Sequence, residues 1–283
     1  MIIFPKLGRC GRLGNQLWQI ASTAGIAQTL GQSVGFMQWD YRPFFRVPDE
    51  FFPPDIIGRQ LVKAEETDLV AHIHPSARDY LQDMGLWAKI APQVWSWFQP
   101  SDLAMDQIRR SVVHLPDRCT MPFWEMPRPI LSVHVRRGDN AAQPNNNHPL
   151  RPWSYYESAI EQRDGQFESI MVFSDDPEWC RTAFRDYFLK YEVAFFEGTP
   201  RKKEHEAGYR TDPFADWLDL QVMSMCDLHV ISNSTYSWWG AFLSHDESPI
   251  YPWPFFGSAL DYIDCGLMFP DTWTRIDHGQ QYV

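Results

Sequence analysis

The residues best placed to do chemistry lie in the stretch 131–139, Leu-Ser-Val-His-Val-Arg-Arg-Gly-Asp. Leu131, Val133 and Val135 alternate with Ser132, His134 and Arg136, and a strand of period two sends the two sets to opposite faces. Pro129 and Gly138-Asp139 bound the run, as turn residues bound strands. The apolar set can face a core while His134 and Arg136 share the other side, with Arg137 and Asp139 just past the carboxyl end. Open α/β sheets bind ligands at that end. Two adjacent guanidiniums with no acid between them suit a phosphate or pyrophosphate, because each presents a planar fork of donors and keeps its charge. Solvated arginines at a strand tip are the plain alternative, so the weight falls on what else the chain carries.

Three further stretches matter. Gly8, Gly11 and Gly14 precede a helix expected from about 15 to 30, a spacing that lets a backbone approach an anion at the helix start, although a flexible turn explains it as well. It is neither Gly-x-Gly-x-x-Gly nor a P-loop. Phe173-Ser174-Asp175-Asp176-Pro177 ends a strand. Asp176 and Pro177 read as the N-cap and first residue of the next helix, whereas Asp175 has no such structural reason. Ser232-Asn233-Ser234-Thr235-Tyr236-Ser237 joins a strand to a helix and offers hydroxyls, a cap and backbone N–H groups to phosphate oxygens, while capping alone needs one of them. His72 and His74 stand two apart with no third ligand near, which favours a surface pair over a metal site. No Asp-x-Asp occurs in the chain, so the usual carboxylate pair for a metal–diphosphate bridge is missing and no metal is expected.

The elements that must position these groups read as follows. The chain of 283 residues suits two domains of about 130–150 residues. Ile2–Phe4, the helix 15–30 with Gly31 at its C′ position, and Ser33–Met37 form one βα unit and a strand. Residues 38–128 are less legible: aromatic and Pro-rich loops, then helical patterns at 78–91 and 102–114. Pro116 to Pro129 is the best linker, which puts the domain boundary near 127: domains 1–127 and 128–283. From 130 onward strands at 130–135, 169–173, 192–195 and 228–231 alternate with helices at 153–163, 177–188, 212–226 and up to 244, the pattern of a parallel sheet. Residues 249–283 add a short strand.

Composition sets outer bounds. Twenty-five basic and 36 acidic residues give a net charge of −11, so nucleic acid is not an expected partner, and an acidic chain that binds an anion must concentrate its arginines. Aromatic residues make up 15%, including 13 Trp, which fits dense packing or platforms for sugar rings alike. Five scattered cysteines without Cys-x-x-Cys read as reduced, mostly buried thiols of a cytoplasmic protein. Neither a signal peptide nor a transmembrane run is expected, and peripheral contact with a membrane is left open.

Taken together, Gly11-Arg-Leu-Gly-Asn-Gln16, His134-Val-Arg-Arg-Gly-Asp139, Phe173-Ser-Asp-Asp176 and Ser232-Asn-Ser-Thr-Tyr-Ser-Trp-Trp-Gly240 resemble the α-1,2-fucosyltransferases of glycosyltransferase family 11. Tyr155-Tyr156 and Asp219 to Cys226 extend the likeness. The resemblance implies a GT-B-like α/β fold, two Rossmann-like domains facing across a cleft, with donor in the second and acceptor mainly on the first. It implies an inverting, metal-independent transfer of L-fucose from GDP-β-L-fucose to a glycan hydroxyl, O2 of a galactoside, with no cofactor beyond the donor substrate. Arg136 would meet the β-phosphate, with Arg137 assisting or holding the loop. His134 would line the nucleotide, with Ser174 and Asn233 in the same binding set, and Asp175 would accept from the guanine edge. Ser234, Thr235 and Ser237 would hold phosphate oxygens, and Gly14, Asn15 and Gln16 would close over the pyrophosphate or fucose. Asp139 is a base candidate by position only, and capping the turn or orienting Arg136 explains it better. Two alternatives stand beside this: a related transferase with another nucleotide sugar, and a non-catalytic nucleotide-sugar binding module.

Overall fold

A computed structural model of the chain describes residues 1–56, 60–117, 119–138, 147–197 and 212–277, without the side chain of Leu103. Its contacts divide the chain into two units, Met1–Leu103 with Tyr262–Phe269, and Ala104–Asp261 with Pro270–Val283.

In the first unit β1 (Ile2–Ile3) lies between β2 (Val34–Gly35) and β3 (Val62–Lys63), all parallel. Helix α1 (Leu13–Thr29) follows β1 and is buried on nearly every side, which is why Gln19, Ser22 and Thr23 inside it all find carbonyl partners. Gly31 follows its end at φ +62, as a C′ glycine should. The expected helix over 78–91 does not form. Leu81 takes a left-handed φ of +51, and the Asp83 side chain accepts from the Gly85 N–H, so the chain turns there and α2 (Ala91–Trp97) starts later, with Pro92 in its first turn.

The expected helix over 102–114 is also shorter. After α3 (Asp102–Arg109), the β-branched pair Val112-Val113 leads β4 (Val112–His114), which forms an antiparallel hairpin with β5 (Thr120–Pro122). The stretch expected as a linker is therefore partly strand. Because β4 also pairs with β8 (Glu192–Phe196), the hairpin extends the second sheet, and the division falls between 103 and 104, not at 127.

That sheet has eight strands in the order β11-β10-β9-β6-β7-β8-β4-β5. Its parallel part comprises β6 (Ile130–Val135), β7 (Ser169–Ser174), β8, β9 (Leu228–Val230), β10 (Ile250–Trp253) and β11 (Thr274–Asp277). Helices α4 (Trp153–Glu161), α5 (Pro177–Ala183), α6 (Pro213–Ser224) and α7 (Thr235–Leu243) connect them. The α/β alternation read from the sequence stands, with β11 added near the C-terminus. Strands accumulate from β6 through β7 to β8 on one side and from β9 to β11 on the other, so the order reverses beside β6. Doubly wound sheets bind ligands at such a reversal, outside the carboxyl ends of the strands.

Five of the tryptophans, Trp18, Trp87, Trp217, Trp238 and Trp239, serve packing and are all but completely buried. The opposite end of the second sheet is pinned by a buried charge cluster. Asp246, before β10, accepts from the backbone N–H groups of His229 (2.8 Å) and Ser248 (3.0 Å) and lies 3.5 Å from the Arg163 guanidinium. Burial alone pushes the Asp246 carboxyl up, but the His229 interaction, the Ser248 N–H and Arg163 outweigh it, and the carboxyl sits below its ordinary value. A depressed carboxyl contributes stability that is complete above the unfolded-state value, about 3.9, and is lost as pH falls through the folded one. Asp246→Asn is therefore expected to cost about 1–2 kcal/mol at neutral pH. Melting curves against pH check this: the gap to wild type should hold down to about pH 4 and close as the pH falls further, and a gap that stays constant well below that pH would refute the assignment.

Candidate functional site

At the carboxyl end of β6 the chain leaves the sheet at the point where strand order reverses. The strand is buried on both faces except for His134, as expected for a parallel strand covered by helices on both sides. His134 Nδ1 is hydrogen-bonded to Ser232 Oγ at 2.7 Å, across from β6 to the end of β9, and its ring lies 6.1 Å from that of Tyr236. Arg136 and Arg137 follow just past the strand, both half-buried.

Arg137 is held in place. Arg137 Nε donates to Asp176 Oδ2 at 3.2 Å, and its guanidinium lies 4.1 Å over the Trp179 ring. Trp179 in turn packs edge-on against Trp153, which meets Phe184 at 5.0 Å. An aromatic cluster of α4 and α5 thus seats Arg137, and this side chain holds the loop. Asp176 does what the sequence suggested, accepting from the Trp179 N–H as the N-cap of α5, with Pro177 as first residue.

Asp175 has a structural reason that the sequence did not disclose. Its Oδ1 accepts from the backbone N–H groups of Arg137 (2.7 Å) and Gly138 (2.9 Å), binding the turn after β6 to the end of β7. A Cβ on Gly138 would stand 2.8 Å from Asp175 Oδ2, so a glycine lets that carboxylate approach. Ser174 Oγ accepts from the Asp176 N–H, another local task. Asp139, the positional base candidate, lies outside the described residues.

The junction after β9 is also less uniform than four hydroxyl and amide groups in a row suggest. Ser234 caps α7 by accepting from the Tyr236 N–H. Asn233 is buried and donates to the Pro149 carbonyl, and Ser237 is buried with its hydroxyl on the Ser234 carbonyl. Thr235 and Tyr236 are half-buried at the mouth of the junction. Sequence reading passed over Ser232 and Tyr236 as site residues, although both lie within the stretch it singled out. What the second unit assembles is thus a helix N-terminus, His134 and two guanidiniums around the carboxyl ends of β6, β7 and β9, an arrangement suited to a phosphorylated ligand.

In the first unit, the loop after β1 folds on itself. Gly11 has φ +77, and Asn15 lies so close that a Cβ there would meet its Nδ2 at 2.5 Å. Gln16 is buried, donating to the Gly11 carbonyl at 3.0 Å and accepting from Trp39 Nε1 at 2.8 Å. Gln16 thus maintains the loop, Gly14 is buried, and Asn15 is the half-buried member, accepting from Gln82 Nε2 at 2.9 Å.

The second unit has a doubly wound sheet with an arginine-tipped switch point, the place where such sheets bind ligands. The chain belongs to glycosyl transferase family 11, whose sequence model matches residues 96–251. It is 37% identical over 123 residues to the O-antigen biosynthesis glycosyltransferase WbnK of Escherichia coli, covering 42% of this chain and 36% of that protein. It is 32% identical over 156 residues to an alpha-1,2-colitosyltransferase of Escherichia coli (52% and 47%), and 24% identical over 253 residues to galactoside alpha-(1,2)-fucosyltransferase 1 of Alouatta caraya (84% and 64%). The chain spans about a third to two thirds of the length of these relatives. Among solved structures, POFUT1 in complex with GDP-fucose aligns with a TM-score of 0.43 at 14% identity, over 88% of this chain and 95% of that one. No helix among the described residues is long and apolar enough to cross a membrane.

Proposed function

We propose that the chain is an inverting fucosyltransferase that moves L-fucose from GDP-β-L-fucose to O2 of a galactoside, the two units acting as the halves of a GT-B fold. The observation that carries this reading is Arg136 at the carboxyl end of β6, beside the strand-order reversal, within the segment that matches the family. The names of the relatives, an alpha-1,2-colitosyltransferase and a galactoside alpha-(1,2)-fucosyltransferase, support both the sugar class and the linkage. The former also favours a second reading, in which colitose replaces fucose on the donor.

Breaking the bond from the sugar carbon to the phosphate builds charge on the departing GDP, and a guanidinium fixed where that charge develops lowers the barrier. Arg136, half-buried just past the carboxyl end of β6, is the residue assigned to the β-phosphate. Thr235, the start of α7 and the half-buried His134 complete the diphosphate and nucleotide contacts, while the buried Ser237 and Asn233 support the junction. Incubation of GDP-fucose and galactoside acceptors, with linkage analysis of the product, tests the reading: an α-1,2-fucosylated product is expected, and transfer from GDP-colitose alone would replace it by the second reading. Because the chain lacks Asp-x-Asp, turnover is expected to persist in excess EDTA. Activity lost there and restored by manganese or magnesium would refute a leaving group stabilised by arginine and helix N–H groups without a metal.

A further inference from the structure

The hydroxyl of Ser232 decides where the proton of His134 sits. Ser232 lies two residues past β9 and is completely buried. Among the described residues its hydroxyl meets one hydrogen-bond partner, His134 Nδ1 at 2.7 Å. A hydroxyl has one proton to donate, and a buried donor left without an acceptor is costly. If Nδ1 held a proton, Ser232 could only accept from it, and its own proton would have no acceptor. The Ser232 hydroxyl therefore donates and Nδ1 accepts. A neutral imidazole that accepts at Nδ1 carries its proton on Nε2, and an imidazolium, protonated on both nitrogens, is disfavoured.

The ring is confined on another side by Tyr236, 6.1 Å away, whose hydroxyl donates to the Asp216 carbonyl at 2.5 Å. His134 is nevertheless the one residue of β6 that is not buried, two residues before Arg136 and beside the strand-order reversal. Nε2 lies at the end of the ring remote from the backbone, so its N–H is a donor near the carboxyl ends of β6 and β9. The charged and titratable groups on the surrounding elements are Arg136 and Arg137 after β6, Asp175 and Asp176 after β7, Asp216 on α6 and Tyr236 on α7. Tyr155 and Tyr156 of α4 pack with Val133 and Val135 on the strand's other face. Asp175 is bound to the Arg137 and Gly138 amides, and Asp176 to the Arg137 guanidinium and the Trp179 N–H. Two guanidiniums on the same turn add to the cost of a third positive charge.

We propose that Ser232 is a positioning residue of the donor site: it fixes His134 as the neutral Nε2–H imidazole, and that N–H donates to a diphosphate oxygen of the nucleotide sugar. This rests on the donor reading proposed above. A free imidazole changes charge at about pH 6.5, so an unfixed histidine in this place would alter the charge of the site within the neutral range. Held by Ser232, His134 offers the same single donor from weakly acidic to alkaline pH. The positive charge comes from the arginines, which do not titrate there.

The imidazole nitrogens report this directly. Nitrogen–proton correlation spectra of protein with isotope-labelled histidine are recorded against pH, with His134→Gln assigning the signal among the nine histidines. Wild type is expected to show His134 as the Nε2–H form, and to keep it at pH values where a free imidazole is charged. In Ser232→Ala the same ring should titrate near the ordinary value of about 6.5. Calorimetric titration with GDP-fucose, whose diphosphate carries the same charge throughout, reads the consequence. Ser232→Ala is expected to bind it about 2–10-fold more weakly at about pH 8, and to regain affinity relative to wild type as the imidazolium forms below about pH 6.5. Melting temperatures check folding, and the wild-type spectrum stands even if the alanine variant does not fold. A wild-type His134 that carries its proton on Nδ1, or is charged at neutral pH, would overturn the proposal. So would a Ser232→Ala variant that keeps the wild-type nitrogen pattern, or one whose GDP-fucose affinity follows wild type at every pH. A wild-type chain that does not bind GDP-fucose would overturn the donor reading, while the spectrum would still decide how Ser232 sets the ring.

Discussion

Arg136→Lys is expected to fold normally, bind GDP detectably and transfer fucose at least about 100-fold more slowly than wild type. Lysine keeps the charge but loses the planar fork, so it cannot meet two phosphate oxygens in a fixed geometry. Charge accumulates on the β-phosphate chiefly in the transition state, which places the loss in kcat more than in donor KM. Arg137 is a poor substitute. To reach a phosphate it would have to leave both the Asp176 carboxylate at 3.2 Å and the Trp179 face at 4.1 Å. Steady-state kinetics on the purified variant, with its melting temperature as control, check the prediction. A variant with near-normal kcat would return Arg136 to a structural role and leave the β-phosphate to the start of α7.

The setting of Arg137 shows how far the sequence could be read. Strands β6 to β9 and the caps Asp176-Pro177 and Asp212-Pro213 were legible, because period, turn residues and capping chemistry are local. That Arg137 is tied down was not, since that depends on Asp176 and Trp179, some 40 residues away along the chain. The reading of 78–91 as helix failed because one left-handed residue, Leu81, and one capping carboxylate, Asp83, override helical propensity there. The same Asp83 was invisible as a partner of His72: eleven residues apart, they meet only because the turn at Leu81 brings them together. The hairpin of β4 and β5 was missed for a related reason. Its prolines suggested a linker, yet Pro122 lies on an edge strand, where a missing N–H is tolerated.

Asp175 is where family resemblance and geometry assign different work to one carboxylate, and a pair of substitutions separates the two. The resemblance gives it the guanine edge, whereas its Oδ1 already binds the amides of Arg137 and Gly138, and through them the turn that carries Arg136. Hydrogen bonds to a charged acceptor are each worth about 1.5–3 kcal/mol, less where exposed as here. Asp175→Ala should therefore slow transfer about 10–100-fold as the turn loosens, and weaken GDP binding as well. Asp175→Asn retains a carbonyl oxygen able to accept both amides, so it should recover most of kcat. What asparagine cannot supply is a second acceptor oxygen for the paired donors of guanine. If the carboxylate also reads the base, the preference for GDP over ADP stays reduced in Asp175→Asn although kcat has returned. Transfer kinetics and calorimetric titration of both nucleotides on the two variants give the answer. An asparagine variant as slow as alanine would remove the turn-holding role, and one that keeps full preference for GDP would remove the guanine contact.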